Sequence, residues 1–288
     1  MRFNFRYGYA CRVEAPPPQR EARTLEHLFQ VIASVLSAGQ ILAAEWERPD
    51  GPRGAGDKAD VDTEIEHVLR TELLALIDCD FWGEETDRRL TGAELCWVVD
   101  PNDGTADFLQ GHRGSAISVG LLRNAEPILG VVYAPVTDSR GPDCIAWETG
   151  LSGLLRNGQQ IQPCLRHQVL TPNSQVLVST AAKTKPQLNA ELCAPAGFSP
   201  MPSIAYRLAL AAAGEAVAGV SLVPVGAHDV VAGHALLIGA QGVLLDQDGN
   251  PITYSPQMNL SKVATRCFGG APEACEVLSR RSWEKLFT

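Results

Sequence analysis

Residues 98–105, Val-Val-Asp-Pro-Asn-Asp-Gly-Thr, place Asp100, Asp103 and Thr105 on a Pro/Gly turn. The turn leaves a short apolar strand carrying Leu95, Trp97, Val98 and Val99. Two carboxylates that close repel each other unless a cation holds them together, and their spare oxygens are hard ligands suited to Mg2+. The Gly104-Thr105 backbone offers N–H groups that suit a phosphate oxygen. Metal and phosphate together point to phosphoryl chemistry.

Other acids stand in companion segments. Glu84 and Glu85 follow Trp82-Gly83, while Asp57, Asp60 and Asp62 lie at a loop-to-helix junction. Asp229 opens a helix in Gly226-Ala227-His228-Asp229-Val230-Val231-Ala232-Gly233, and Asp107 follows Gly104-Thr105-Ala106. Each alone reads as a helix cap or a solvated acid. Asp100 and Asp103 differ, because they follow a buried strand at its C-terminal end, where α/β sites form. Three other motifs fail here. An EF-hand loop needs Gly at its sixth position, where Thr105 stands. A haloacid-dehalogenase-type nucleophile wants Asp-x-Asp-Gly-Thr, and a P-loop wants Gly-x-x-x-x-Gly-Lys. Neither occurs.

The elements that must carry these acids follow from periodicity. Leu25, Leu28, Phe29, Ile32, Val35 and Leu36 predict an amphipathic helix over 21–45, ended by the Gly/Pro-rich segment 49–56, which reads as a mobile loop. A second helix is expected from Asp62 to Leu76. Strands are predicted at Ala116–Leu122 and Ile128–Tyr133, joined as a hairpin, and near Cys144–Trp147. Gly150–Gly158 reads as a crossing segment with a glycine turn at Asn157-Gly158. Beyond it, strands at Gln175–Ser179, Val220–Val225 and Val243–Asp246 alternate with helices at Ser203–Ala213 and Asp229–Gly239.

Composition narrows the class. The 288 residues, 45% hydrophobic and 20% charged, are those of an ordinary globular enzyme with ample core. A net charge of −9 with no Lys/Arg run argues against a nucleic-acid polymer as partner. No apolar run approaches the ~20 residues of a membrane span, so no membrane partner is expected. Eight scattered cysteines without a C-x-x-C pair read as buried thiols of a reducing compartment, and a cytoplasmic location is the expectation. Residues 1–20, with Pro16-Pro17-Pro18, read as a flexible lead-in.

Taken in order, Gly83-Glu84-Glu85, Asp100-Pro101-Asn102-Asp103-Gly104-Thr105 and His228-Asp229-Val230-Val231-Ala232-Gly233 resemble the inositol monophosphatase superfamily. Its members are Mg2+-dependent, Li+-sensitive phosphatases of small phosphate monoesters. The likeness runs from about Asp57 to Gly249. It implies an α/β (α+β) fold, a layered αβαβα sandwich with an N-terminal half over 21–150 and a C-terminal half over 151–288. It implies that Glu84, Asp100, the Asn102 carbonyl, Asp103 and Asp229 hold two or three Mg2+ ions, Asp100 bridging two. Gly104 and Thr105 would bind phosphate, and Asp229 and Arg207 would face the substrate. Thr105, Asp62 and Glu84 would be catalytic, Thr105 orienting water with Asp62 (or Asp60) accepting its hydrogen bond. His228 replaces the usual Trp of its motif.

The partner implied is a small phosphorylated metabolite, and a homodimer is implied as well. Asp107 and the strand Ile128–Pro135 favour the bisphosphate nucleotidase branch, which acts on 3′-phosphoadenosine 5′-phosphate, over inositol monophosphate. A non-catalytic phosphate sensor on the same fold is the alternative.

Overall fold

The computed structural model describes residues 19–254 and 260–287, so the lead-in up to residue 18 lies outside the described residues. The chain opens with α1 (Gln19–Trp46), whose Leu28, Val31, Val35, Ala38 and Leu42 are buried at three- and four-residue spacing. His27–Trp46 is 20 residues long and apolar enough to cross a bilayer by length and composition, contrary to the expectation that no such run exists. Its apolar stripe is spent on the core, packed on α2 (Asp60–Leu76) and on the first large sheet.

The segment between the two helices carries more regular structure than its Gly and Pro content predicts. It forms a small hairpin, β1 (Gly54–Ala55) and β2 (Lys58–Ala59). Arg53 clamps the approach: its guanidinium and its backbone N–H donate to Glu45 on α1, at 2.7 Å from both Nη2 and the backbone N. That guanidinium holds the Glu45 carboxyl below its usual range.

The first sheet has seven strands in sequential order: β3 (Asp80–Gly83), β4 (Leu95–Asp103), β5 (Ala116–Arg123), β6 (Glu126–Ala134), β7 (Asp143–Glu148), β8 (Leu154–Arg156) and β9 (Gln159–Ile161). Only β3 and β4 run parallel. A short helix, α3 (Thr105–Leu109), follows β4. The expected crossing segment is a hairpin, β8–β9, turning at Asn157-Gly158 with both residues at positive φ (48° and 77°). Alternation divides the sheet: Trp97, Val99, Ile117 and Val119 face the α1/α2 core, while Val98, Ala116 and Val132 face the opposite core.

The second half adds β10 (Gln175–Val178), α4 (Pro186–Cys193), β11 (Gly197–Pro200), α5 (Ile204–Ala212), β12 (Ala218–Ser221), α6 (Ala227–Gly239), β13 (Val243–Asp246), β14 (Cys267–Gly270) and α7 (Pro272–Ser279). Its five-stranded sheet has the order β11-β10-β12-β14-β13. Helices α5 and α6 lie between the sheets, α1 and α2 cover the outside of the first, and α4 and α7 pack outside the second. The result is the layered αβαβα sandwich.

Small residues decide how closely α6 sits on the first sheet. Gly120 and Gly130 are cross-strand partners on β5 and β6. A Cβ at Gly120 would come 2.5 Å from Val231 Cγ1, and one at Gly130 would come 2.3 Å from the Ala232 carbonyl oxygen. This glycine pair is the trough that seats α6, and Asp229 rides on that helix's first turn. Among the described residues the seven cysteines are free, and all but Cys164 and the half-buried Cys96 are buried.

Candidate metal and phosphate site

The site forms where β4 breaks register. Asp100 pairs with Ser118 and Asp103 with Ala116, so β4 carries one residue more than β5 across this stretch. Residues three apart on a regular strand point to opposite faces, and the extra residue brings both aspartates to one side. Pro101 has no N–H to lose from the ladder, which suits it to the bulge. Gly104 then takes φ +96° as the cap of α3. There a Cβ would be strained, and it would also press on Pro202 Cβ at 3.2 Å and Ser203 N at 3.3 Å.

Two overlapping groups of donors result. Asp100, Asp103 and Asp229 each offer a carboxylate oxygen within 4.8 Å of the others, and so do Glu84, Asp100 and the His228 ring. Neighbours hold each acid in place. Ser203 Oγ and Ala205 N–H donate to Asp103 Oδ2 at 2.5 and 2.6 Å. Gly226 N–H caps back onto Asp229 Oδ2, and Asn102 N–H donates to Asp100 Oδ1 at 2.9 Å.

The charge is poorly compensated. Burial, then its acidic neighbours Glu84, Asp103 and Asp229, push the Asp100 carboxyl well above the usual range. Burial likewise raises Asp103 and Asp229 to about 6 each, and Glu84, at the open edge, to about 7. Asp80 shows what protein donors alone can do for a buried acid. Burial opposes its charge too, but donors from Thr91, Gly92 and Ala93 win and hold it below its ordinary value. The cluster at Asp100 has no such set. Closely spaced oxygens without a matching number of protein donors fit a hard divalent cation.

Thr105 and Asp62 meet at the start of α3. Thr105 Oγ lies 2.8 Å from the Asn102 carbonyl oxygen and 3.3 Å from Asp62 Oδ2. Asp62 is buried and also accepts from Asn102 Nδ2 at 3.0 Å and from Ala59 N–H at 3.2 Å, whereas Asp60 is exposed. The partner of Thr105 is therefore Asp62. Burial raises its carboxyl to about 6. The Asn102 carbonyl reaches the site, but it shares its oxygen with the Thr105 hydroxyl.

Arg207 is placed differently from the expectation. It is 97% buried, since its relative exposure is 3%. Its guanidinium donates to the Ser203 carbonyl at 3.1 Å, the Pro202 carbonyl at 3.3 Å and the Val220 carbonyl. All of that hydrogen bonding goes to backbone, so Arg207 braces the start of α5 and the Ser203 that holds Asp103. Asp107 accepts from Thr180 Oγ at 2.9 Å and lies 2.7 Å from His112 Nδ1. Beside Pro202, the neighbour of Gly104, opens a cavity of about 240 Å3 lined by His112, Arg113, Lys183 and Met201.

One residue of the site escapes sequence reading. Glu66, fully buried on α2, accepts from Glu85 N–H and Thr86 N–H at 2.8 Å each, and from the Thr86 hydroxyl. It fixes the turn that presents Glu84. Gly83 makes room for it: a Cβ there would stand 2.0 Å from Glu66 Oε1.

Known proteins share this pattern. Inositol monophosphatase 1 of Bos taurus is 29% identical over 208 residues, 66% of this chain and 71% of the relative. A fructose-1,6-bisphosphatase/inositol-1-monophosphatase of Aquifex aeolicus is 30% identical over 135 residues, 45% of this chain; the chain spans 49% of that relative's length. The 3′(2′),5′-bisphosphate nucleotidase CysQ of Escherichia coli is 29% identical over 163 residues, covering 56% of this chain and 63% of its own. Among solved structures, an IMPase of Thermotoga maritima superposes with a TM-score of 0.71 at 21% identity, over 88% of this chain and 96% of that one. An inositol monophosphatase from Anabaena does so at 0.68 and 22% identity, over 90% and 95%. The inositol monophosphatase family pattern matches residues 25–274. With the fold and the acid cluster in agreement, the chain belongs to the inositol monophosphatase family.

Proposed function

We propose that this protein hydrolyses a small-molecule phosphate monoester with Mg2+, by direct attack of water. The observation that carries the reading is the buried, undercompensated acid cluster at a β-bulge beside Thr105 and Asp62. Glu84, Asp100, the Asn102 carbonyl, Asp103 and Asp229 would hold two or three Mg2+ ions, with Asp100 shared. When bound, Mg2+ supplies Lewis acidity toward water and neutralises charge on the phosphoryl and departing oxygens.

The protein's own part is positioning. Asp62 accepts the Thr105 hydroxyl's hydrogen bond, which leaves a Thr105 lone pair to accept from water and aim it. The backbone N–H groups of Gly104 and Thr105 hold the phosphate, with Asp229 facing the substrate from the second half of the chain. The site would lie between an N-terminal half over 21–150 and a C-terminal half over 151–288. No Ser, Cys or His nucleophile is needed.

For the substrate, the exposed cations Arg113 and Lys183 in the adjoining cavity favour a second anionic group. That supports a bisphosphate nucleotide such as 3′-phosphoadenosine 5′-phosphate over inositol monophosphate. Li+ inhibition, a cytoplasmic location and a homodimer complete the reading. The test is phosphate release, with Mg2+ and with EDTA, across both substrates, fructose 1,6-bisphosphate and simple sugar phosphates. Mg2+-dependent release, fastest on the bisphosphate nucleotide, is expected. No turnover on any of them would favour the phosphate sensor.

A further inference from the structure

We infer that His228 gives the metal position between Glu84 and Asp100 an imidazole ligand, so that this position takes Zn2+ in preference to Mg2+. The inference rests on the proposed metal-dependent reading of the same site. His228 stands on the first turn of α6, next to Asp229, and its carbonyl accepts from Ser118 Oγ at 3.2 Å on β5. Its Nε2 lies 3.9 Å from Glu84 Oε1 and 3.7 Å from Asp229 Oδ1. Two ligands on opposite sides of one ion, with bonds of ~2.1 Å, stand ~4.2 Å apart. The Glu84 separation falls inside that reach, and Asp100 offers an oxygen within 4.8 Å of both groups.

The bland alternative is a core histidine satisfied by its neighbours, and the ring does not behave as one. Its Nδ1 is buried without a partner among the described residues, and its side chain is only 15% exposed. Gly226 is what admits the ring, since a Cβ there would stand 2.5 Å from His228 Cε1. Neither ring nitrogen lies within hydrogen-bond distance of a protein partner among the described residues, which leaves an imidazole lone pair for an ion. Imidazole suits Zn2+, whereas Mg2+ and Mn2+ prefer carboxylate, carbonyl and water, so one nitrogen among oxygens tilts selectivity at this position alone. The remaining oxygen ligands at Asp103, Asp229 and the Asn102 carbonyl keep their preference for Mg2+.

The test compares wild type, His228→Gln and His228→Trp by calorimetric titration with Zn2+, Mn2+ and Mg2+, and by Co2+ absorption, which reports a nitrogen ligand. Urea unfolding in EDTA verifies that each variant is folded. Wild type should bind one Zn2+ per chain at least tenfold more tightly than either variant, with Mg2+ affinity changed less than twofold and the Co2+ bands altered. Equal losses for all three metals, or no loss for Zn2+, would overturn the assignment. Phosphate release by wild type with Mg2+ is read separately. If it is absent the functional reading fails, while the Zn2+-against-Mg2+ comparison still decides the role of His228.

Discussion

Replacing Asp103 by Asn should make the metal-free protein more stable while removing its chemistry. Asp103 is only 8% exposed, and its carboxyl sits at about 6 instead of 3.8, because of burial first and the Asp229 charge second. Raising a carboxyl by that amount costs the ionised folded state ~3 kcal/mol. The sign follows from linkage. The penalty is absent below the unfolded value of 3.8, grows through the interval, and is complete above about 6. At pH 5 the folded acid is mostly protonated and about half the penalty remains. Asn keeps the shape and an oxygen for the Ala205 N–H and the Ser203 hydroxyl, but carries no charge. Urea unfolding in EDTA should therefore find Asp103→Asn more stable than wild type by ~3 kcal/mol at pH 8 and by about half that at pH 5. Added Mg2+ should then stabilise wild type far more than the variant. A variant less stable than wild type at pH 8 in EDTA, or a difference equal at both pH values, would refute the reasoning.

Other substitutions probe the supports of the site. Gly120→Val should wedge α6 off the first sheet, cost ~1–3 kcal/mol in urea unfolding, and lower hydrolysis more than tenfold by moving Asp229. Glu66→Ala strands the Glu85 and Thr86 N–H groups, each worth ~1–3 kcal/mol, and should raise the Mg2+ concentration needed for half-maximal activity. Thr105→Ala and Asp62→Asn should each cut kcat strongly, and the double variant should be little worse than either, as for residues acting as a unit. Additive losses in that cycle would separate their roles.

How much of this was legible in the sequence depended on distance along the chain. Asp100, Asp103, Gly104 and Thr105 form one contiguous run, and the structure brings Glu84 and Asp229 to the same place. Glu66 was hidden, because an acid on an amphipathic helix reads as solvated and its partners lie 19 and 20 residues away. The trough of Gly120 and Gly130 was hidden for the same reason, since Val231 and Ala232 arrive from over a hundred residues downstream. Arg207 misled in the opposite direction. Its substrate role came from the family resemblance alone, and only the carbonyls around it reveal bracing. The long helices and central strands were legible from periodicity. Two-residue β1 and β2, the β8–β9 hairpin and glycine-rich β14 were not, because such short pieces owe their form to pairing partners instead of local pattern.

The central claim is that the acid cluster, loaded with Mg2+, directs water onto the phosphorus atom of a small monoester. Hydrolysis of 3′-phosphoadenosine 5′-phosphate and inositol 1-phosphate in 18O-labelled water tests it most directly. With Mg2+, one labelled oxygen is expected in each released phosphate, and EDTA or Asp103→Asn should stop release. Release that persists in EDTA, or unlabelled phosphate with the label in the alcohol, would contradict it.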